Sequence, residues 1–189
     1  MPKASSDEKQ IIAHIDGGSR GNPGPAAYAV VVNSEDGTRL ASLSKYLGHA
    51  TNNVAEYNGL LAALDYALER NYRRLKIITD SELMARQING QYKVKNANLK
   101  VLYDRAQTLI AQFAAFRIEH VRREHNREAD RLANEAMDAA KHGKTSAAPS
   151  ADPKSLHATA IYHQGVLELD GSLPLYDGEQ VHLKIERKE

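Results

Sequence analysis

Two kinds of hydrophobic spacing divide the first 142 residues into strands and helices. Short apolar runs, such as those at residues 11–15 and 75–79, predict strands. Apolar residues three and four positions apart, such as Leu60, Ala63 and Ala67, predict helices. The predicted strands lie at about 10 to 16, 27 to 33, 39 to 47, 74 to 79 and 116 to 121, and the predicted helices at about 53 to 70, 81 to 90, 97 to 113 and 127 to 142.

The order of these elements predicts an α/β fold with a mixed five-stranded sheet flanked by helices. Short turns join the first three strands, which favours an antiparallel meander. Helices separate the later strands, which favours parallel crossover connections. Residues 1–142 are therefore predicted to form one domain. Its core is predicted to include Leu60, Leu61, Leu64 and Leu68.

The composition changes after the last predicted helix. Residues 143–156 are rich in alanine, serine, proline and charge, which is typical of a flexible linker. Residues 157–189 are predicted to form a small β-rich domain with strands at 159–163, 166–169 and 180–186. A unit of about 30 residues needs support from the main domain, a second copy or another chain. A dimer formed through this unit is one expectation.

Four carboxylates stand at positions from which they can reach one site. Asp16 follows an apolar run and precedes a glycine-rich turn, so it is predicted to end a buried strand; Asp80 ends the run at residues 75–79. Glu56 and Asp130 lie on helix stripes that face the sheet. Burying these acids together without compensation would cost several kcal/mol. Divalent cations that prefer hard oxygen ligands, magnesium or manganese, are the natural compensation.

Each acid taken alone also has a purely structural interpretation. An acid after a strand is often a helix N-cap, and one in a first helical turn favours the helix dipole. The flanking sequence separates the two interpretations: residues 16–25 are DGGSRGNPGP, 51–56 are TNNVAE, 80–82 are DSE and 125–133 are HNREADRLA. In this order, over about residues 9 to 142, the set resembles type 1 ribonuclease H, in its compact variety without an inserted basic handle.

The resemblance implies an endoribonuclease that hydrolyses the RNA strand of RNA/DNA hybrids and leaves 5′-phosphate and 3′-hydroxyl ends. It implies two Mg²⁺ ions, with Mn²⁺ as a substitute, and adjacent first and fourth strands. Catalysis by metal ions needs no nucleophilic side chain, and the absence of cysteine excludes thiolate chemistry. The residues that match the family's catalytic, metal-binding acids are Asp16, Glu56, Asp80 and Asp130.

Substrate selection requires groups that detect the ribose 2′-hydroxyl, which distinguishes RNA from DNA. By the resemblance, the residues that contact the hybrid are Gly17, Asn22, Asn52 and Asn53, and Thr51 belongs to a phosphate-binding pocket. Local alternatives remain open. Residues 21–24 also suit an ordinary turn, and Thr51 also suits a helix N-cap.

Two positions depart from the better-known family pattern. Glu82 stands where many members carry a substrate-binding glutamine, and an ionised carboxylate cannot donate a hydrogen bond. The loop before Asp130 is shorter than in many members. His125 is the first candidate for the catalytic histidine that assists product release, and Glu124 is the second. A histidine in a polar loop can equally be solvated and inactive.

Composition sets limits without indicating a function. A chain of 189 residues with 42% hydrophobic content can form a substantial core and a small second unit. The polar start and the absence of a long apolar run predict neither a signal peptide nor a membrane protein, so the cytoplasm is the expected location. The net charge of +1 is too small to indicate nucleic-acid binding. Five basic residues between Arg86 and Arg105 provide either a phosphate-binding patch or a solvated helix face.

Two functions of different classes are consistent with the sequence. The first is a metal-dependent endonuclease; the second is a non-catalytic nucleic-acid-binding or antitoxin-type module on the same scaffold. The second arises because the tail, AIYHQGVLELDGSLPLYDGEQVHLKIE, resembles a family of short β-domain proteins described as probable antitoxins. The four intact acids and their flanking glycines and asparagines favour the enzyme, and the TNN and GNPG segments argue against a transposase-like nuclease.

Overall fold

The computed structural model describes residues 9–141, 160–163 and 166–169. The chain divides into two compact units, Met1–Ser146 and Ala147–Glu189. In the first unit the strands are β1 (Gln10–Ser19), β2 (Gly24–Ser34), β3 (Arg39–Ala50), β4 (Arg74–Thr79) and β5 (Ala115–His120). The helices are α1 (Asn52–Glu69), α2 (Glu82–Ile88), α3 (Ala97–Ile110) and α4 (Arg127–Lys141).

The five strands form one mixed sheet in the order β3-β2-β1-β4-β5. The first three strands are antiparallel neighbours. The helical connections return β4 and β5 parallel to β1. The predicted fold is therefore confirmed, including the adjacency of the first and fourth strands.

The first strand continues beyond Asp16, where the sequence predicted that it would end. Gly17, Gly18 and Ser19 remain paired with β2, and the last pair joins Ser19 to Ala26. Pairing with β4 does stop here, because the last parallel pair joins Ile15 to Thr79. Asp16 thus lies where β1 loses one of its two neighbouring strands.

Helix α1 covers one face of the sheet and supplies much of the core. Thr51 caps its N-terminus by accepting a hydrogen bond from the Val54 N–H at 3.3 Å. Leu60, Leu61 and Leu64 are buried as predicted, whereas Leu68 is only half-buried near the end of the helix. Each fully buried side chain of this kind contributes about 1.5–3 kcal/mol. Helix α4 contributes Ala136 and Met137, which pack in a smaller cluster with Ala27 of β2.

The second unit contains a hairpin in which β6 (Ala160–His163) pairs antiparallel with β7 (Val166–Leu169). These strands coincide closely with two of the predicted ones. The predicted linker at 143–156 and the predicted strand at 180–186 lie outside the described residues. The domain boundaries, the antitoxin-like resemblance and the dimer stay predictions. Among the described helices, none is long and apolar enough to cross a membrane.

Candidate active site

All four predicted acids line one cleft of about 290 Å³. They come from four elements that are far apart in the sequence: β1, α1, the residue after β4, and the first turn of α4. The cleft is also lined by Gly17, Gly18, Ser19, Arg20, Asn52, Arg123, Asn134 and Met137. The fold therefore brings together side chains separated by more than one hundred positions.

The parallel pairing of β1 and β4 explains the proximity of Asp16 and Asp80. Ile15 pairs with Thr79, so the two aspartates occupy the next positions on adjacent strands. Glu56 approaches them because Gly17 has no side chain. A Cβ atom at Gly17 would lie closer than 3.0 Å to the backbone of Ala55 and Glu56. Packing of α1 against β1 thus requires glycine here, independently of any contact with substrate.

Burial and mutual repulsion shift the protonation of two of the acids. The pKa of Asp16 is raised to about 7, first by burial and then by the nearby carboxylates of Asp80 and Asp130. The pKa of Glu56 is also raised to about 7, mainly by burial and further by Asp80, although hydrogen bonds from Ser81 and Asn52 act in the opposite direction. Burial is the main cause of both shifts, because it disfavours the charged form of a carboxyl group.

Polar neighbours hold two of the carboxylates in place. Asn52 donates from Nδ2 to Glu56 Oε1 at 2.7 Å, and Ser81 donates from Oγ to Glu56 Oε2 at 2.6 Å. Arg123 forms an ion pair with Asp130. Asn134, one turn further along α4, donates from Nδ2 to Asp130 Oδ1 at 3.3 Å. These contacts restrict where the oxygen atoms of Glu56 and Asp130 can point.

The donor set suits a hard divalent cation, because four carboxylates with excess negative charge face one water-accessible cleft. Within the residues that the structure describes, no three His, Asp or Glu side chains have the arrangement of a ready-made metal site. The carboxylates instead have protein partners, including the contact of Asp16 with Asp80 and that of Asp130 with Arg123.

Only two of the predicted substrate-binding residues line the cleft, Gly17 and Asn52. Thr51 caps α1, as its alternative interpretation predicted. Asn22 is exposed, and its Oδ1 accepts a hydrogen bond from the Asn52 backbone N–H at 3.2 Å. The turn at residues 21–24 is therefore tied to the start of α1, which also carries Asn53.

Three predicted residues, Glu82, His125 and Glu124, lie outside the cleft. Glu82 is exposed on α2 and forms an ion pair with Arg86 at 2.7 Å. His125 borders a smaller cleft of about 130 Å³, together with His14 and Glu128. The residues 123–125 form one turn of 3₁₀ helix, in which positions two apart point in different directions. Arg123 consequently faces the acids, and His125 does not.

The sequence did not single out several polar residues that support the acids. Ser81, Asn134 and Asn126 each contact one of the four carboxylates. For Asn134 a signal was present, since it lies four residues after Asp130 in α4, and positions four apart in a helix share a face. Arg123 is another such residue, and its ion pair with Asp130 depends on the turn that precedes α4.

Known sequences similar to the first unit include a family model and several proteins named ribonuclease H. A family model described as reverse transcriptase-like matches residues 14–136. Ribonuclease HI of Halobacterium salinarum is 41% identical over 129 residues, which cover 68% of this chain and 65% of the relative. Ribonuclease H of a Jannaschia species is 30% identical over 151 residues, which cover 71% of this chain and 95% of the relative.

A longer relative is the Mycobacterium tuberculosis protein named bifunctional protein Rv2228c. It is 48% identical over 151 residues, which cover 79% of this chain. These residues cover 41% of the relative, so the chain spans less than half the length of the mycobacterial proteins that it matches.

Two solved structures share the fold at substantial sequence identity. The N-terminal RNase H domain of Rv2228c, solved as a fusion with maltose binding protein, is 47% identical with a TM-score of 0.69 and covers 72% of this chain and 99% of that chain. LC11-RNase H1 in complex with an RNA/DNA hybrid is 40% identical with a TM-score of 0.66 and covers 69% of this chain and 99% of that chain.

Proposed function

Because the chain belongs to the ribonuclease H family, we propose that it is a metal-dependent endoribonuclease that hydrolyses the RNA strand of RNA/DNA hybrids. The observation that carries this proposal is the convergence of Asp16, Glu56, Asp80 and Asp130 in one cleft. A relative with 40% identity, LC11-RNase H1, has been crystallised with an RNA/DNA hybrid, which supports the choice of substrate.

The proposed cofactors are two Mg²⁺ ions, with Mn²⁺ as a substitute, held by the four acids. Such ions, when bound, polarise the phosphodiester, lower the pKa of the attacking water and stabilise the leaving oxygen. The role of the protein is to aim the carboxylates into the cleft. Asn52 and Ser81 hold both oxygens of Glu56, and their hydrogen bonds partly offset the effect of burial on its pKa. Asn134 donates a hydrogen bond to Asp130 Oδ1 and restricts its orientation.

The proposed reaction is a hydrolysis that breaks the bond between phosphorus and the ribose O3′. The oxygen of a water molecule bonds to phosphorus, the water proton passes to solvent, and the departing O3′ takes up a proton. The products carry a 5′-phosphate and a 3′-hydroxyl. None of these steps requires a side-chain nucleophile.

Hybrid recognition is proposed for the residues at the start of α1 and the neighbouring turn. Gly17 and Asn52 line the cleft, while Asn22, Thr51 and Asn53 lie at or next to the capped start of α1. Small neutral groups of this kind suit contact with a ribose 2′-hydroxyl. Glu82 fits this role less well, because Arg86 already engages its carboxylate.

The function is tested with end-labelled RNA/DNA, RNA/RNA and DNA/DNA duplexes, each with and without Mg²⁺. The wild-type chain is compared with Asp80→Asn and with the control Asp104→Asn, which removes an exposed carboxylate on α3. We expect metal-dependent cleavage of the RNA strand of the hybrid by the wild type and by the control, and its loss in Asp80→Asn. Binding of the hybrid without cleavage by the wild type would contradict the enzyme and support a non-catalytic binding module.

A further inference from the structure

One buried amide connects the elements that carry three of the four acids. Asn126, the residue before α4, is 2% exposed. Its Nδ2 donates to the carbonyl oxygen of Ile15 at 2.8 Å and to Asp80 Oδ1 at 3.4 Å. Its backbone carbonyl accepts the N–H of Asp130 at 3.1 Å. Ile15 precedes Asp16, so Asn126 contacts the backbone next to one acid, the side chain of a second and the backbone of a third.

We propose that Asn126 is a positioning residue that sets the distances between Asp16, Asp80 and Asp130, an inference that rests on the proposed function. Strands β1 and β4 are joined by their own pairing, but that pairing ends at Ile15 and Thr79. Helix α4 has no backbone ladder to either strand. The Asn126 side chain supplies the hydrogen bonds that attach the start of α4 to the strand ends.

The two ends of the Asn126 amide have different partners. The nitrogen donates to the Ile15 carbonyl and to Asp80, whereas the buried Oδ1 lies within reach of the His14 imidazole, which interacts with the Asn126 side chain. The donor end of the amide is therefore the end that faces the acids. A carboxylate of the same shape would set oxygen against the Ile15 carbonyl and against Asp80.

Two variants separate positioning from ordinary packing. Asn126→Ala removes the side chain, and Asn126→Asp keeps its size and its suitability for a helix N-cap but loses the donor. The matched control is Asn89→Ala, because Asn89 also donates from Nδ2 to a strand carbonyl, that of Ile118 at 3.4 Å, and does not line the cleft of the acids. For each full-length variant, kcat and KM on the hybrid, Mn²⁺ affinity without substrate by calorimetry, and thermal unfolding are measured.

We expect both Asn126 variants to lower kcat or Mn²⁺ affinity by about 10- to 100-fold, the usual effect of removing a partner of a metal ligand. KM for the hybrid should remain close to the wild-type value, and Asn89→Ala should keep wild-type kcat and Mn²⁺ affinity. The inference is overturned if Asn126→Asp retains wild-type kcat and Mn²⁺ affinity, or if Asn89→Ala loses as much of either.

The experiment also distinguishes failure of the inference from failure of the proposed function. If the wild type does not cleave the hybrid, the proposed function fails, and the Mn²⁺ affinities alone decide whether Asn126 positions the acids. Equal Mn²⁺ affinities of the wild type and both Asn126 variants would then overturn the inference. If a variant proves unfolded in the thermal measurement, the other Asn126 variant decides.

Discussion

The backbone of Gly17 in β1 lies directly against the backbone of Glu56 in α1. A Cβ atom at Gly17 would come closer than 3.0 Å to the Glu56 nitrogen. This close approach places a helix carboxylate beside the strand carboxylate of Asp16, and burial of the two acids follows from it. The glycine after the first acid is thus part of the geometry of the site.

The first prediction concerns this contact. Gly17→Ala should push α1 away from β1, lower the stability by about 1–3 kcal/mol, as overpacking commonly does, and reduce hybrid cleavage further than the loss of folded protein explains. Gly18→Ala is the matched control, because a Cβ there would meet only the Met137 Cε at 3.6 Å. Urea unfolding and initial cleavage rates test both variants. Equal stability and equal cleavage rates of the two variants would show that the close contact between β1 and α1 at Gly17 is not critical.

The second prediction concerns pH in the absence of divalent ions. The pKa of Asp16 is about 7 in the folded chain, above the ordinary value of 3.8, mainly because of burial. Between these values the folded state holds a proton that the unfolded state has released, so stability should fall as the pH rises from about 4 to about 7. Asp16→Asn should be more stable than the wild type at pH 8, by on the order of 1 to 4 kcal/mol.

The measurement for this second prediction is chemical unfolding at several pH values with EDTA, repeated with Mg²⁺. Bound cations should stabilise the wild type at pH 8 and leave Asp16→Asn nearly unchanged, because ligands that bind only the folded state shift unfolding. A wild type that becomes more stable between pH 5 and pH 8 without metal would contradict the assignment of uncompensated charge to Asp16.

The third prediction concerns His125, which borders the smaller cleft. His125→Ala should retain kcat on the hybrid, since His125 is not among the residues that line the cleft of the acids. Arg123→Ala provides the comparison, because Arg123 lines the cleft and pairs with Asp130. The measurement is the steady-state kcat of both variants on the hybrid. A large fall in kcat for His125→Ala alone would restore the catalytic role that the family resemblance implied for it.

The fourth prediction concerns the C-terminal unit, Ala147–Glu189. A chain that ends at residue 146 should cleave the hybrid at a rate close to that of the full chain, because all four acids and their hydrogen-bond partners belong to the first unit. Sedimentation of both chains tests whether the tail forms a dimer. Loss of cleavage on truncation, without unfolding, would make the tail part of hybrid binding.

The hydrophobic pattern was sufficient to predict the sheet and its helices. Strand β4 illustrates this, since its apolar run gave bounds, 74 to 79, that coincide with the observed ones. The end of β1 was placed too early because Gly17 and Gly18 resemble a turn in sequence, whereas pairing with β2 keeps them extended. Long-range strand pairing of this kind leaves no local signal.

The convergence of the four acids was predictable because each stands at the end of a strand or on a helix face, next to a distinctive motif. The hydrogen-bond partners of these acids were harder to predict. Arg123 and His125 are both basic residues of one loop, and only the direction of a single 3₁₀ turn decides which of them meets Asp130. Asn126 belongs to the motif HNREADRLA, but its role depends on contacts with Ile15 and Asp80, which are distant in sequence.

The most direct test of the shared metal site is paramagnetic broadening of backbone amide NMR signals by substoichiometric Mn²⁺. If the four acids hold divalent ions, the amides of Gly17, Glu56, Ser81 and Asp130 should lose intensity first, and those of α3 should be retained. The broadening should disappear in Asp80→Asn. Broadening centred elsewhere, or equal broadening in Asp80→Asn, would contradict a metal site in this cleft.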